Sequence, residues 1–343
     1  VSLMFLDTSI NMAMQPFKMM VGDMVNEKQK GLAYSIQSFL CNAGSLVGFL
    51  FPFIFTWIGI SNIAPQGVVP DSVIYSFYIG AAILILCVIY TTVKVKEMPP
   101  AEYAEYHGIT EEEKKEKINM VKLLVKAPKA FWTVGLVQFF CWFAFMFMWT
   151  YTNGSVAANV FDAPTVETVV NGANKVVLDT KSIQYQNAAD WVGVLFAVQA
   201  IGSVLWAVCI PMFKNRKLIY SLSLVLGGIG FISTYFVHNQ YVLFISFLLI
   251  GCAWAAMLAL PFTILTNALS GGHMGTYLGL FNGTICIPQI VAATLGGSIL
   301  ALFTPKGMLP PEINMLVMAG VMLIIGAVCV YLIKETKGEQ AKA

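Results

Sequence analysis

Four polar residues interrupt an apolar stretch at the start of the chain: Asp7, Asn11, Gln15 and Lys18. Steps of four, four and three place all four on one face of a helix. Residues 3–21 are otherwise mostly apolar. A carboxyl heading such a stripe is costly inside a membrane, about 2.5–3.5 kcal/mol on insertion scales. Two uses repay that cost. The carboxyl can take and release a proton or bind a cation as its surroundings change, or it can be a structural group paired across helices. If Asp23 or Lys18 marks the polar edge, Asp7 lies about 24 or about 16 Å deeper at 1.5 Å per residue. Both depths fall within a hydrocarbon core roughly 30 Å thick.

A second polar set sits in "QFFCWFAFMFMWTYTNG", where Gln138, Trp142 and Trp149 share a helical face. An aromatic face beside an amide suits a pyranose ring, which stacks its C–H face and hydrogen-bonds its rim. Packing accounts for the same residues equally well, and an interfacial aromatic belt accounts for Trp149 and Tyr151. Gln37, Ser38, Asn42, Gln199, Asn282 and Gln289 either line a cavity or bridge helices. "LGGIGF" and "LGGSIL" read as close helix contacts, "FKNRK" as a topology signal and "TEEEKKEK" as a solvated helix face.

The elements that carry these residues follow from composition. Of 343 residues, 58% are hydrophobic and 11% charged, and mean hydropathy is +0.75. A soluble domain carries roughly 25% charged residues, so the chain is an integral membrane protein in contact with the lipid bilayer. A net charge of +2 gives no reason to expect nucleic acid. Cys41, Cys87, Cys141, Cys209, Cys252, Cys286 and Cys329 all fall in apolar spans and read as small core residues. The sequence holds no Cys-x-x-Cys, histidine cluster, glycine-rich phosphate loop or nucleophile–base pair. Neither a metal, a cofactor nor an enzyme activity is expected.

Nine spans of about 20 apolar residues are predicted, near 1–22, 34–58, 72–93, 130–152, 189–213, 218–237, 241–267, 275–303 and 311–333. Two joints are long. Joint 94–129 is charged, with a short amphipathic helix expected around 110–126; joint 153–188 is polar. Alternate joints differ sharply in charge. One set holds 17 of the 20 basic residues, the other only Lys175, Lys181 and Lys306. The basic set is therefore expected in the cytoplasm of a cell (inner or plasma) membrane protein, together with the C-terminus.

"QPFKMMVGDMVNEKQKGLAYSIQSF" from Gln15 matches "LPFTILTNALSGGHMGTYLGLFNGT" from Leu260 at an offset of 245, then 244 after the turn. The matched spans lie six helices apart, which predicts an all-α transporter of two six-helix bundles. The visible spans are then helices 4–12, and three helices are expected before Val1. Residues 1–93 form the remainder of the first bundle, 94–129 the linker and 130–343 the second bundle. At the repeat offset Asp7, Asn11, Gln15 and Lys18 meet Cys252, Ala256, Leu260 and Thr263. The polar stripe therefore belongs to one half and not to the fold.

Asp7-x3-Asn11-x4-Pro16-x-Lys18-x4-Asp23 resembles the fourth helix of proton-coupled sucrose transporters, in the glycoside–pentoside–hexuronide branch of the major facilitator superfamily. "GLFNGTICIPQIVAA" from Gly279, with Asn282, Pro288 and Gln289, is similar to that family's eleventh helix, and "GCAWAAMLALPFTIL" from Gly251 to its tenth. The resemblance implies the major facilitator fold, with Asp7 as the proton-coupling carboxylate and Lys18 as the basic partner near the sugar, where the sucrose group carries Arg. Asn11, Gln15, Gln138, Trp142, Asn282 and Gln289 are the expected sugar contacts, and Pro16 and Asp23 belong to a gate. The expected activity is symport of a disaccharide or glycoside with H+ by a monomer using alternating access. Na+ coupling, a non-sugar solute and a non-transporting sensor are the alternatives.

The charge asymmetry is testable with single cysteines in a cysteine-free background. Glu112→Cys should resist an impermeant thiol reagent in intact cells and Ser182→Cys should react; the reverse pattern would overturn the topology.

Overall fold

The computed structural model describes residues 2–333 except 27–28, 61–68, 70, 97–98, 100–101, 103–119, 171–172, 270–273 and 306. Lipid offers no hydrogen-bond partner to the backbone, so each apolar run closes its peptide groups within a helix. The long helices are α1 (Ser2–Met24), α2 (Lys30–Trp57), α3 (Asp71–Lys94), α5 (Lys129–Asn159), α6 (Ile183–Cys209), α7 (Arg216–Ser233), α8 (Leu243–Ala268), α10 (Gly283–Phe303) and α11 (Ile313–Cys329). α4 (Met120–Val125) falls at the end of the stretch 110–126, the rest of which lies outside the described residues, and α9 (Met274–Phe281) leads into α10. Among the described residues seven helices are long and apolar enough to cross a membrane, with α9 and α10 counted together as Gly275–Phe303. α1 and α2, of 23 and 28 residues, occupy the other two predicted positions. The protein is an all-α, multi-pass membrane protein.

Two features differ from the sequence reading. α5 runs to Asn159, well beyond the expected end near 152. Its polar tail stays helical because the side chains bond back onto their own helix: Thr152 Oγ1 donates to Met148 O (2.6 Å), Ser155 Oγ to Tyr151 O (2.7 Å) and Asn159 Nδ2 to Ser155 O (2.8 Å). The joint 153–188 also contains a β-hairpin, β1 (Thr165–Val170) and β2 (Ala173–Leu178), antiparallel with Thr165 opposite Leu178 and Val170 opposite Ala173. Asn171-Gly172 between two β-branched runs is the sequence signal for it. The span 275–303 is one crossing, Gly275–Phe303, and Asn282 keeps helical backbone angles (φ −59°, ψ −24°) where α9 meets α10. The Asn282 N–H is shared between the carbonyls of Leu278 and Gly279, 3.2 Å each, and Thr284 Oγ1 takes the Phe281 carbonyl at 2.7 Å.

Between apolar helices in lipid there is little hydrophobic drive, so close packing and a few hydrogen bonds decide the arrangement. Glycines supply the close approaches. A Cβ on Gly202 of α6 would lie 2.6 Å from Leu248 O of α8, and one on Gly251 of α8 would collide with Gln199 O and Ser203 N of α6. Gly230 approaches Ser246 O of α8 in the same way (2.6 Å), and Gly320 of α11 approaches Gly228 O of α7 (2.7 Å). Serines add polar ties: Ser233 Oγ to Ser246 Oγ at 2.7 Å, and Ser221 Oγ to Ala327 O at 3.1 Å. α2 lies against α6 and α8, and α3 packs on α2. α5 packs against α10 and α11, with Gly135 beside Thr284 and Gly296 beneath Tyr151.

The glycine contacts predict a stability difference. Adding a methyl to a filled contact costs about 1–3 kcal/mol, and the atoms facing Gly251 are backbone. Gly251→Ala should lower the thermal midpoint of the purified protein by several degrees. Gly44→Ala, which has nothing within 4 Å of the new methyl, should not. Equal midpoints would show that α6 and α8 do not meet at Gly251.

Candidate functional site

α5 and α8 together build an aromatic cradle. The indoles of Trp142 and Trp149, two turns apart on α5, lie 6.4 Å apart. Trp254 of α8 closes on both, edge-on to Trp142 at 5.7 Å and to Trp149 at 5.6 Å. Phe145 packs under Trp254 at 4.8 Å. Trp149 remains 43% exposed, while Trp142 is 9% exposed. Of the two residues that could have formed an interfacial belt, Tyr151 is instead enclosed, edge-on to Phe147 at 5.5 Å.

Gln138 sits one turn below Trp142, fully buried, and its Nε2 donates to Met257 O of α8 at 3.2 Å. This bond fixes the amide and ties the two walls together. Gln138 Oε1 and Trp142 Nε1 have no hydrogen-bond partner among the described residues. One acceptor and one donor thus stand a turn apart on one helix face, beside three indoles packed tilted and edge-on. A buried polar atom without a partner costs about 1–3 kcal/mol, a cost that a ligand hydroxyl can relieve. The arrangement suits a flat, hydroxyl-edged molecule with an apolar face.

Asn282 lies where α9 meets α10, within the single span Gly275–Phe303. Its Nδ2 contacts Cys286 Sγ at 3.8 Å, and its Oδ1 is buried without a partner among the described residues. Gln289 is half-buried farther along α10, one residue beyond the buried Pro288. On α2, Ser38 Oγ donates to Ala255 O of α8 at 3.4 Å, and Asn42 Nδ2 donates to Ser38 O at 2.7 Å. Ser38 therefore bridges α2 to α8, whereas the Asn42 amide bonds back onto its own helix. Gln199 is buried on α6, its carbonyl facing Gly251, and Gln37 is half-buried.

α1 carries the predicted stripe on one continuous helix, with Pro16 inside it and exposed. The side chains of Asp7, Asn11, Gln15 and Asp23 lie outside the described residues. Lys18 is half-buried, and its amine stands over the Phe262 ring of α8, 4.4 Å from the centroid. The structure therefore joins Gln138 with Trp142, and it places Lys18 on an aromatic ring. Sequence reasoning missed Trp254 and Phe145. Trp254 did have a signal: it is the only aromatic residue in the small-residue run "GCAWAAMLAL".

A family model described as the Major Facilitator Superfamily matches residues 8–173 and 163–343. The chain belongs to the Major Facilitator Superfamily. As a superfamily member it is a secondary transporter, and its helices serve to move a solute. Its fold is similar to a crystal structure of the E. coli fucose:proton symporter FucP, with a TM-score of 0.55. That likeness covers 92% of this chain and 72% of the symporter at 15% identity. No curated protein matches the chain in sequence.

If the cradle takes a ring, Trp254 provides one of its faces. Trp254→Ala should weaken binding of a transported pyranoside at least tenfold, read by ligand quenching of intrinsic tryptophan fluorescence. Trp132→Ala, on the exposed flank of α5, should leave the affinity unchanged. Undiminished binding by Trp254→Ala would remove the cradle from the site.

Proposed function

We propose that the protein is a proton-coupled sugar symporter that moves a disaccharide or glycoside by alternating access. The observation that carries this reading is the cradle of Trp142, Trp149 and Trp254 with the Gln138 amide at its floor. All four side chains are uncharged, so they favour a neutral solute. Aromatic faces stack on the C–H face of a pyranose, while Gln138 Oε1 and the Trp142 indole N–H can accept from and donate to its hydroxyls. Asn282 and Gln289 would add contacts from α9–α10. Asn11 and Gln15 would add contacts from α1. The fold shared with a fucose:proton symporter supports the same class.

In this reading Asp7 is the coupling group. A carboxyl deep in a spanning helix is stable there only when neutralised or paired. Binding a proton from one side and releasing it to the other links its charge to the state of the transporter. Binding of sugar between two moving bundles, residues 1–93 and 130–343 joined by 94–129, then couples the two gradients. The protein acts in the cell membrane, as one chain, with its C-terminus in the cytoplasm.

Counterflow of labelled maltose, sucrose and melibiose identifies the sugar. For the identified sugar, Asp7→Asn should abolish uphill accumulation while exchange down the gradient persists, because Asn keeps the volume and cannot cycle a proton. Wild-type accumulation by Asp7→Asn would end the coupling role. Uptake that follows a sodium gradient and ignores an uncoupler would replace the proton with Na+.

A further inference from the structure

The resemblance implies that Lys18 is a basic partner near the sugar, and in the structure its amine has a neighbour of its own. The amine stands 4.4 Å from the centroid of Phe262, a ring on α8 that is 2% exposed. Tyr34 of α2, 1% exposed, stacks on the same ring at 6.1 Å and 29°. The Tyr34 hydroxyl in turn donates to the Lys18 carbonyl at 3.3 Å. One ring on α8 therefore gathers α1 through the Lys18 ammonium and α2 through Tyr34, and Tyr34 holds the Lys18 backbone in place. Behind the ring, Phe281 of α9 meets Phe262 edge-on at 5.9 Å and Phe131 of α5 at 5.6 Å.

Neighbouring contacts lie on the same seam. A Cβ on Gly31 of α2 would stand 3.6 Å from Thr263 Cγ2, and one on Gly275 of α9 would stand 2.6 Å from Met19 Cε. α1 and α2 thus meet α8 and α9 at the end of the helices that Lys18–Lys30 marks. An alternating-access cycle must part such a seam to open that end. An ammonium is strongly hydrated, so burying it on a ring in place of water makes the contact strong only while the seam is dry. Once the seam parts, water replaces the ring. That gives the contact two discrete states.

We propose that Phe262 and Tyr34 form an aromatic seat for the Lys18 ammonium, and that this seat is the latch holding the Lys18–Lys30 end shut. Lys18 is then a gate residue that acts through Phe262. The inference deepens the proposed transport cycle and uses neither the sugar nor the proton assignment.

The test is a double-mutant cycle on the full protein in nanodiscs, without sugar or ion gradient. The seven native cysteines are replaced by serine and Thr263→Cys serves as the reporter. Its alkylation rate by N-ethylmaleimide reports parting of the seam. Lys18→Met and Phe262→Leu should each raise the rate about tenfold, and the double variant should be no faster than either single one. Additive increases would mean that Phe262 is only packing, and an unchanged rate in Lys18→Met would mean that no latch exists. Either result overturns the proposal. Loss of sugar uptake with a normal cycle would instead count against the transport reading alone.

Discussion

The constraint on which the rest depends is that hydrocarbon satisfies no polar group. Every peptide N–H and carbonyl in a span must pair within the chain, and every polar side chain must find a protein partner or a ligand. Helices are the direct result. So is the placement of polar residues. Thr152, Ser155 and Asn159 bond back to their own helix, whereas Ser38 and Gln138 bond to the backbone of α8. The first kind extends a helix without altering its neighbours. The second fixes which helices touch and at what height.

Within that constraint, steric shape positions the cradle. The missing side chains of Gly202 and Gly251 bring α6 and α8 together, and Gly227 and Gly230 bring α7 onto α8. α8 is thereby held between neighbours, with Trp254 facing α5 and Phe262 facing α1 and α2. These two aromatic residues lie eight positions apart on one helix. α8 therefore carries both the candidate solute cradle and the ring beneath Lys18, with Pro261 between them. Where α9 meets α10, Asn282 holds a buried amide oxygen without a partner among the described residues.

The positions of the helices and the absence of a soluble core were legible from residue types, because periodicity and hydropathy act locally. Pairing Gln138 with Trp142 was legible too, since residues four apart share a face. The hairpin at 165–178 was missed although Asn171-Gly172 announces it; the surrounding polar composition concealed a short alternation. The tail of α5 was missed because Thr, Ser and Asn favour turns in water, where their side chains compete for the backbone, yet here they close onto the same helix.

By itself the sequence determined a multi-pass helical membrane protein, its long joints and a polar stripe on its first helix, because burial in lipid and the helical repeat depend on few neighbours. Only the tertiary structure decided which face of α8 meets which helix. It brought Trp254 to Trp142 and Trp149 across 112 and 105 residues of chain, and it set Lys18 on Phe262. Such contacts depend on how closely backbones approach at glycines and on the angle at which helices then cross. These are properties of surfaces in three dimensions, and no periodicity along the chain encodes them.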